Sequence, residues 1–157
     1  MARRYWLMKS EPETFSIEDL ARAPKQTTGW DGVRNYQARN LLRDEIQIGD
    51  GVLFYHSSAE PPGVAGTAEV ARAGYPDPTQ FDPKSNHHDP DARPDEPRWY
   101  MVDIKHTQTF PRFVPLPVLR DMPALRDMVL LRKGSRLSVQ PVTPDEWKAI
   151  VATGTKR

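Results

Sequence analysis

The stretch with the densest concentration of chemically useful side chains is WDGVRNYQARN, residues 30–40. It sets one large aromatic ring, Trp30, beside Asp31 and a glycine, and hydrogen-bonding side chains such as Arg34 and Asn35 follow. An indole face can stack on a flat ring, while neighbouring polar groups bond to the edge of that ring. The combination is typical of a site for a small planar ligand or a single base. A capped turn beside an ordinary core tryptophan would also explain it.

Three further segments place small polar side chains at the ends of predicted strands. They are MKSE at 8–11, FYHS at 54–57 and RLSVQP at 136–141. A sheet can present such strand ends into one pocket, and an aromatic wall with a few converging polar groups is the usual form of a ligand site. The candidate pocket residues are therefore Trp30 with Ser10, Glu11, Asp31, Asn35, Tyr55, His56, Ser57 and Ser138.

Other kinds of site find little support in the sequence. His87, His88 and Asp89 are adjacent in a loop, where side chains rarely converge on one ion, so neither a metal nor another cofactor is predicted. His56 and Ser57 are neighbours on a predicted strand and point to opposite faces, so they cannot pair as base and nucleophile. The sequence also lacks a G-x-S-x-G elbow, a P-loop and a G-x-G-x-x-G fingerprint. We therefore predict no catalytic residues.

Composition and charge limit the possible partners. We predict a single domain over residues 1–157. Lys and Arg number 22 against 21 Asp and Glu, but the Pro-rich segment 76–97 holds six acidic and two basic residues, so the remainder of the chain is mildly basic. Cysteine, a signal peptide and an apolar run of roughly twenty residues are all absent. We predict a soluble protein, cytoplasmic or, in a eukaryote, nuclear, with no membrane partner.

About five strands must position these residues, as judged from apolar runs between turn signals. They cover residues 5–8, 51–57, 63–74, 98–104 and 110–114. The sequence RKGSRLSVQPV near the C-terminus resembles a turn and a further short strand. Because strands and helices do not alternate regularly, we predict an α+β fold with a mostly antiparallel, curled sheet.

Capping residues mark the helices. Ser16 and Asp19 form a capping box for a short helix, and Asn35 is predicted to cap a second one. A third short helix is predicted near 118–122, and Thr143 caps the C-terminal helix. Two connections are predicted to be loops: the one that leads from the first helix to Trp30, and the segment 76–97, whose six prolines suggest a functional loop or a mobile lid.

Taken together, these motifs resemble those of the EVE domain family. The longest similarity alone fixes eleven positions. The resemblance implies a PUA-like fold, a curled mixed sheet or pseudo-barrel with short peripheral helices, related to the YTH domains that read methylated adenine in RNA. The matching segments run in order over nearly the whole chain: Trp6–Pro12, Trp30–Asn40, Gly49–Ser57, Tyr75–Asp77, Trp99–Asp103 and Arg136–Pro141.

The resemblance also implies a function, namely recognition of a modified base rather than its transformation. The expected partner is DNA or RNA that carries a modified cytosine or methyladenine, and Trp30 is expected to stack on the extruded base. Extrusion from a duplex costs a few kcal/mol, so single strands are expected to bind best. Candidate phosphate contacts are Lys9, Arg34, Arg39, Lys105, Arg132, Lys133 and Arg136.

One departure from the family pattern concerns the loop after Tyr75–Asp77. Many relatives resemble one another in carrying a tyrosine where this chain has His88. In YTH domains a loop at the same place supplies a second wall of the aromatic cage, so His88 is a candidate for that wall. Because histidine protonates near pH 6.5, base binding is expected to depend on pH.

Two alternatives stay open from the sequence. The first is an enzyme that acts on a modified nucleotide with Glu11 or Asp31 as acid or base. The second is an interaction module whose acidic loop docks a protein partner. Nothing in the sequence indicates an oligomeric state.

Overall fold

The computed structural model describes residues 3–133 and 137–156. Its centre is a six-stranded sheet in the order β2-β5-β4-β3-β1-β6, in which β1 and β3 are parallel and the other neighbours are antiparallel. The sheet is mixed and open, and the predicted α+β class is confirmed. In chain order the strands are β1 (Tyr5–Ser10), β2 (Thr27–Gly29), β3 (Gly51–His56), β4 (Gly63–Pro76), β5 (Tyr100–Pro115) and β6 (Val139–Val142).

The predicted caps start three of the four helices. Ser16 and Thr143 each form a capping box, and the Asn35 side chain accepts a hydrogen bond from the Ala38 N–H, at 3.0 Å. Helix α2 continues as a π-helical turn over Leu41–Glu45. The helices are α1 (Ile17–Arg22), α2 (Tyr36–Asn40), α3 (Leu116–Arg120) and α4 (Pro144–Gly154). None of the described helices is both long and apolar enough to cross a membrane.

Three predicted boundaries are wrong. Residues Thr27–Gly29, predicted as loop, form β2 because they pair with residues 103–105 in the first part of β5. The two strands predicted over 98–104 and 110–114 are one continuous strand, since register shifts between β4 and β5 absorb the irregularities. Helix α3 begins at Leu116 rather than 118, because Pro117 fits the first turn, where its missing N–H is not needed.

The Pro-rich segment 76–97 is also more ordered than predicted. It contains a 3-10 turn over Pro78–Phe81. The buried side chain of Gln80 fastens this turn to the sheet, since its amide donates to the carbonyls of Asp77 and Trp99 and its oxygen accepts from the N–H groups of Arg98 and Trp99. One glutamine side chain thus bonds to four backbone groups of the segment and of the residues that lead into β5.

The sheet packs on both faces, so neighbouring residues of one strand belong to different cores. On the first face, Met8 and Phe54 lie in a cluster with α1 residues and Trp30. On the second face, Leu7 and Tyr55 lie in a cluster with residues of α3 and α4. All six residues of β3 are buried, as expected for a central strand with a continuous apolar run. The alternation places side chains from the end of β1 on opposite faces.

Candidate functional site

A cavity of about 520 Å³ opens on the first face, where the end of β1 meets the turn after β2. We call it the Trp30 cavity. The structure brings seven of the predicted residues into its wall: Lys9, Ser10, Glu11, Trp30, Asp31, Arg34 and Ser138. The strand ends and the Trp30 motif therefore converge, as the sequence predicted.

Trp30 is both a core residue and a cavity wall. Its ring is packed edge-on against the fully buried ring of Phe54, with centroids 5.5 Å apart and planes at 84°. Its backbone N–H donates to the carbonyl of Val102 at 2.8 Å, which ties the turn to β5. Phe15, which also lines the cavity, lies 6.4 Å from Phe54. One buried ring thus supports two aromatic parts of the wall.

The indole N–H of Trp30 differs from those of the other buried tryptophans. Trp6 donates to Asp50 at 2.9 Å, and Trp99 donates to Asp89 at 2.7 Å. Within the residues the structure describes, the Trp30 indole has no acceptor, although it is not sealed from solvent. Because buried tryptophans usually satisfy this group, the Trp30 indole N–H is notable as a donor that remains open at the cavity.

A second part of the wall comes from the Pro-rich segment, through His87 rather than His88. The His87 ring lies against Gly32, where a Cβ atom would come within 2.6 Å of it. Gly32 also has a φ of +79°, which favours glycine. His88 does not line the cavity. The sequence predicted His88 as the histidine of this wall, and the structure places His87 there instead. Two adjacent histidines cannot be distinguished by residue type.

An ion pair between the partly exposed Arg34 and the buried Asp77 holds this wall in place. Asp77, with no exposed surface, accepts hydrogen bonds from Arg34 at 3.1 Å and from the Gly32 N–H at 2.8 Å. Thr79 donates to it from both its N–H and its hydroxyl. Burial alone would raise the pKa of Asp77, but these bonds outweigh it and hold the pKa below its ordinary value. Arg34 also donates to the His87 carbonyl, so it joins the motif to the loop.

Two carboxylates at the cavity are available as acceptors. Glu11 and Asp31 are exposed, and neither makes a side-chain hydrogen bond or ion pair in the described part of the chain. The Ser10 hydroxyl, in contrast, is committed to the Phe15 carbonyl. The open polar groups therefore include two carboxylate acceptors, with the Trp30 indole and the Lys9 ammonium group as donors.

Several predicted base contacts lie elsewhere. The Asn35 side chain is used as a helix cap, and the His56 ring accepts the Ile17 N–H at 3.1 Å. Burial lowers the pKa of His56, although Glu18 acts in the opposite direction. Ser57 follows β3 outside the cavity, and Tyr55 faces the second core.

The predicted phosphate contacts are scattered. Arg34 is engaged by Asp77, Arg39 donates to the Arg98 carbonyl, and Lys105 is exposed on β5 opposite Thr27. Arg136 lies outside the described residues. The other three, Lys9, Arg132 and Lys133, line a second cavity of about 440 Å³ on the second face. We call it the basic cavity; its other polar residues are Tyr55 and Arg120.

No three His, Asp or Glu side chains lie close enough to hold a metal ion anywhere in residues 3–133 and 137–156. The adjacent residues His87 to Asp89 are accordingly turned to separate partners. Asp89 accepts the Trp99 indole N–H, while the His87 ring lies at Gly32.

Comparison with known proteins gives a consistent result. Residues 4–153 match the EVE domain. Thymocyte nuclear protein 1 of Homo sapiens is 43% identical over 168 residues, which cover 97% of this chain and 74% of that protein. A crystal structure from Pseudomonas putida is 55% identical with a TM-score of 0.90, and the match covers 94% of this chain and 97% of that one.

A further crystal structure, of human THYN1 protein in complex with 5-methylcytosine containing DNA, is 43% identical with a TM-score of 0.92. The match covers 98% of this chain and 99% of that chain. It confirms the PUA-like fold that the sequence motifs implied.

Proposed function

Because the chain belongs to the EVE domain family, we propose that it is a binding module that holds one modified base of a nucleic acid in the Trp30 cavity and performs no reaction on it. The observation that carries the proposal is the indole of Trp30, which lines the cavity with its N–H unpaired among the described residues. The other buried indoles, of Trp6 and Trp99, bond to carboxylates.

The size and composition of the cavity support a single base as ligand. About 520 Å³ lies within the range of small-molecule sites, and aromatic and polar groups share its wall. Stacking a base on an aromatic side chain contributes about 1–3 kcal/mol. A methyl group that fills an apolar gap adds about 0.8 kcal/mol, so the modification is distinguished by fit.

A methylated cytosine in DNA is the first ligand to test. The human THYN1 structure in complex with 5-methylcytosine containing DNA matches this chain over 98% of its length. The open carboxylates of Glu11 and Asp31 add a chemical reason, because cytosine presents an exocyclic amino group that donates to such acceptors. Thymine carries the same methyl group but a carbonyl oxygen in place of the amine. That oxygen is an acceptor, so it cannot bond to the carboxylates.

Three oligonucleotides separate these contributions. They are single strands of one sequence with cytosine, 5-methylcytosine or thymine at one position, and fluorescence anisotropy gives their affinities. We expect 5-methylcytosine to bind at least tenfold more tightly than thymine, about 1.4 kcal/mol, and more tightly than cytosine by a factor that reflects one methyl group. Equal affinity for all three would overturn the proposal.

Trp30→Phe tests the wall without emptying the core. Phenylalanine keeps a ring against Phe54 but loses the indole N–H and part of the stacking surface. We expect the preference for the modified base to fall. The matched control is Trp147→Phe, since Trp147 stacks on Tyr5 at 4.5 Å and does not line the Trp30 cavity. Equal losses in both variants would indicate a general effect on folding.

The absence of a reaction is checked separately. Prolonged incubation with the 5-methylcytosine strand, followed by mass spectrometry, is expected to return the strand unchanged. A product that disappears in Glu11→Gln or Asp31→Asn would instead identify an enzyme that uses these carboxylates.

A further inference from the structure

The basic cavity has a charge composition unlike the rest of the surface. Among the described residues, four cationic side chains line it, from Lys9, Arg120, Arg132 and Lys133, and no carboxylate does. The whole chain is nearly neutral, with 22 basic and 21 acidic residues. Four like charges around one concave space repel one another, and a bound anion relieves that repulsion.

These cations are not neutralised by the protein itself. Within residues 3–133 and 137–156, none of the four pairs with a carboxylate. Arg132 makes only a long hydrogen bond, 3.4 Å, to the Asp127 carbonyl. The Tyr55 hydroxyl has no described partner either, and burial raises the pKa of Tyr55, which keeps that hydroxyl a donor. Five donor groups therefore line the cavity, and among the described residues none of them bonds to a carboxylate.

Lys9 connects this cavity to the Trp30 cavity, since it lines both. Its ammonium group lies 6.0 Å from the centre of the Tyr55 ring, on the second face. The next residue, Ser10, points to the first face and lines the Trp30 cavity. The two cavities thus meet at the end of β1. Burial lowers the pKa of Lys9, and a nearby anion would stabilise its charged form.

We propose that the basic cavity binds a phosphodiester group of the same strand whose base occupies the Trp30 cavity, so that the strand crosses the end of β1 at Lys9. The inference rests on the proposed function for the identity of the polymer. It assigns the two sites different tasks, because phosphate contacts position a strand while base contacts specify it.

The test variant is Arg120→Gln with Lys133→Gln, both exposed residues of the basic cavity. The control is Arg126→Gln with Lys148→Gln, which removes the same charge from exposed positions outside both cavities. Affinities for the cytosine and 5-methylcytosine strands are measured over a range of salt concentrations. Thermal melts of all proteins verify folding.

We expect the test variant to bind the cytosine and the 5-methylcytosine strands more weakly than the wild type, and by the same factor. The slope of log affinity against log salt should fall by about 0.7 for each phosphate that the variant no longer neutralises. In the control variant, the slope of log affinity against log salt should differ from the wild-type slope only by the general effect of the lower net charge. Equal slopes in test and control variants would overturn the inference. So would a weakening confined to the methylated strand, since that would place the cations at the base.

Two further measurements show whether the bound phosphate belongs to the strand. They also distinguish a failure of the phosphate site from a failure of the proposed base-binding function. Replacing the phosphates that flank the base with neutral methylphosphonates, one at a time, should lower affinity in the wild type but not in the test variant. Saturable binding of inorganic phosphate in the basic cavity, without any change in oligonucleotide affinity, would assign the cavity to a free anion and overturn the inference. If the wild type shows no base preference yet its salt slope falls in the test variant, the proposed function fails and the phosphate site stands.

Discussion

The two cavities lie on opposite faces of one sheet and share Lys9, yet they differ in nearly every other respect. The Trp30 cavity has aromatic walls and two carboxylates, whereas the basic cavity has four cations and none. Aromatic fit and edge bonding respond to the identity of a base, and clustered charge responds to the backbone and to salt. If the two proposals hold, base specificity and backbone affinity are separable properties of the two cavities.

The cavities are also built differently. The Trp30 cavity depends on a contact between distant segments, because Arg34 and Asp77 are 43 positions apart and join the motif to the Pro-rich loop. The basic cavity is formed by the ends of β1 and β3 with α3 and the turn over Val129–Leu131. A substitution that releases the Pro-rich loop should therefore affect one cavity and leave the other intact.

Asp77→Ala is expected to have the largest effect. It leaves Arg34 and two backbone N–H groups without their buried acceptor, and breaking a buried pair in this way costs about 3–5 kcal/mol. Urea unfolding monitored by circular dichroism measures the change in stability. Asp77→Asn keeps an acceptor and should recover part of the stability. A loss below about 1 kcal/mol for Asp77→Ala, the size of one ordinary hydrogen bond, would show that the loop is not held by this pair.

In the wild type, salt should change the overall affinity, which we assign to the basic cavity, but not the base preference, which we assign to the Trp30 cavity. If three cations of the basic cavity contact phosphates, raising salt from 50 to 200 mM lowers affinity for a single strand roughly twentyfold. The ratio of affinities for 5-methylcytosine and cytosine should stay constant, because the methyl contact is uncharged. Anisotropy titrations at several salt concentrations measure both quantities. A ratio that falls in parallel with affinity would contradict the separation.

Gly32→Ala tests the shape of the Trp30 cavity. Its positive φ makes an alanine cost about 1–2 kcal/mol, and the new Cβ would press on the His87 ring. Gly49→Ala is a close control, because Gly49 has a φ of +92° but nothing within 4 Å of the Cβ position. We expect similar losses of stability, with reduced base preference only in Gly32→Ala. Reduced preference in both would mean that backbone strain, not the His87 wall, is responsible.

Much of the fold could be predicted because local signals agreed with the final structure. The Ser16 and Thr143 capping boxes and the Asn35 cap act over three residues, and the apolar run of β3 requires only that the strand be buried. The strand β2 carries no such signal. It forms because β5 offers an edge for Thr27–Gly29, and that partner is distant in the sequence.

The sequence identified the residues that reach the Trp30 cavity from converging strand ends. It misplaced residues whose side chains bond to the backbone instead. Ser10, Trp30 and Ser138 meet because β1, β2 and β6 end or begin near one another. The sequence predicted Asn35 both as the cap of α2 and as a base contact, and its side chain serves as the cap. The sequence does not reveal that His56 accepts the Ile17 N–H at the start of α1. The selection of His87 over His88 depends on the turns that Gln80 and Asp77 fix, which are long-range contacts.

The smallest effect concerns the neighbours Tyr55 and His56, which face the second core and the first core respectively. Burial raises the pKa of Tyr55 and lowers that of His56, so both are held uncharged. In the unfolded chain His56 titrates near its ordinary value of 6.5, above its folded pKa, so the unfolded state takes up the proton first. Its contribution to stability is therefore complete above pH 6.5 and is lost as the pH falls through 6.5 towards the folded pKa.

His56→Gln should flatten that acid limb of the melting temperature, because glutamine can still accept the Ile17 N–H but takes up no proton. Burial also lowers the pKa of His106, which bonds to Thr109 on β5, so His106→Gln serves as a control that removes a separate share of the slope. Melting curves between pH 5 and 8 compare the three proteins. Base preference should respond less to pH in His56→Gln than in the wild type, because protonation of His56 breaks its bond to the Ile17 N–H at the start of α1. If the melting temperature of His56→Gln falls as steeply with acid as that of the wild type, other groups are responsible for the pH dependence. The opposite pKa shifts of Tyr55 and His56 would then have no measurable effect on stability.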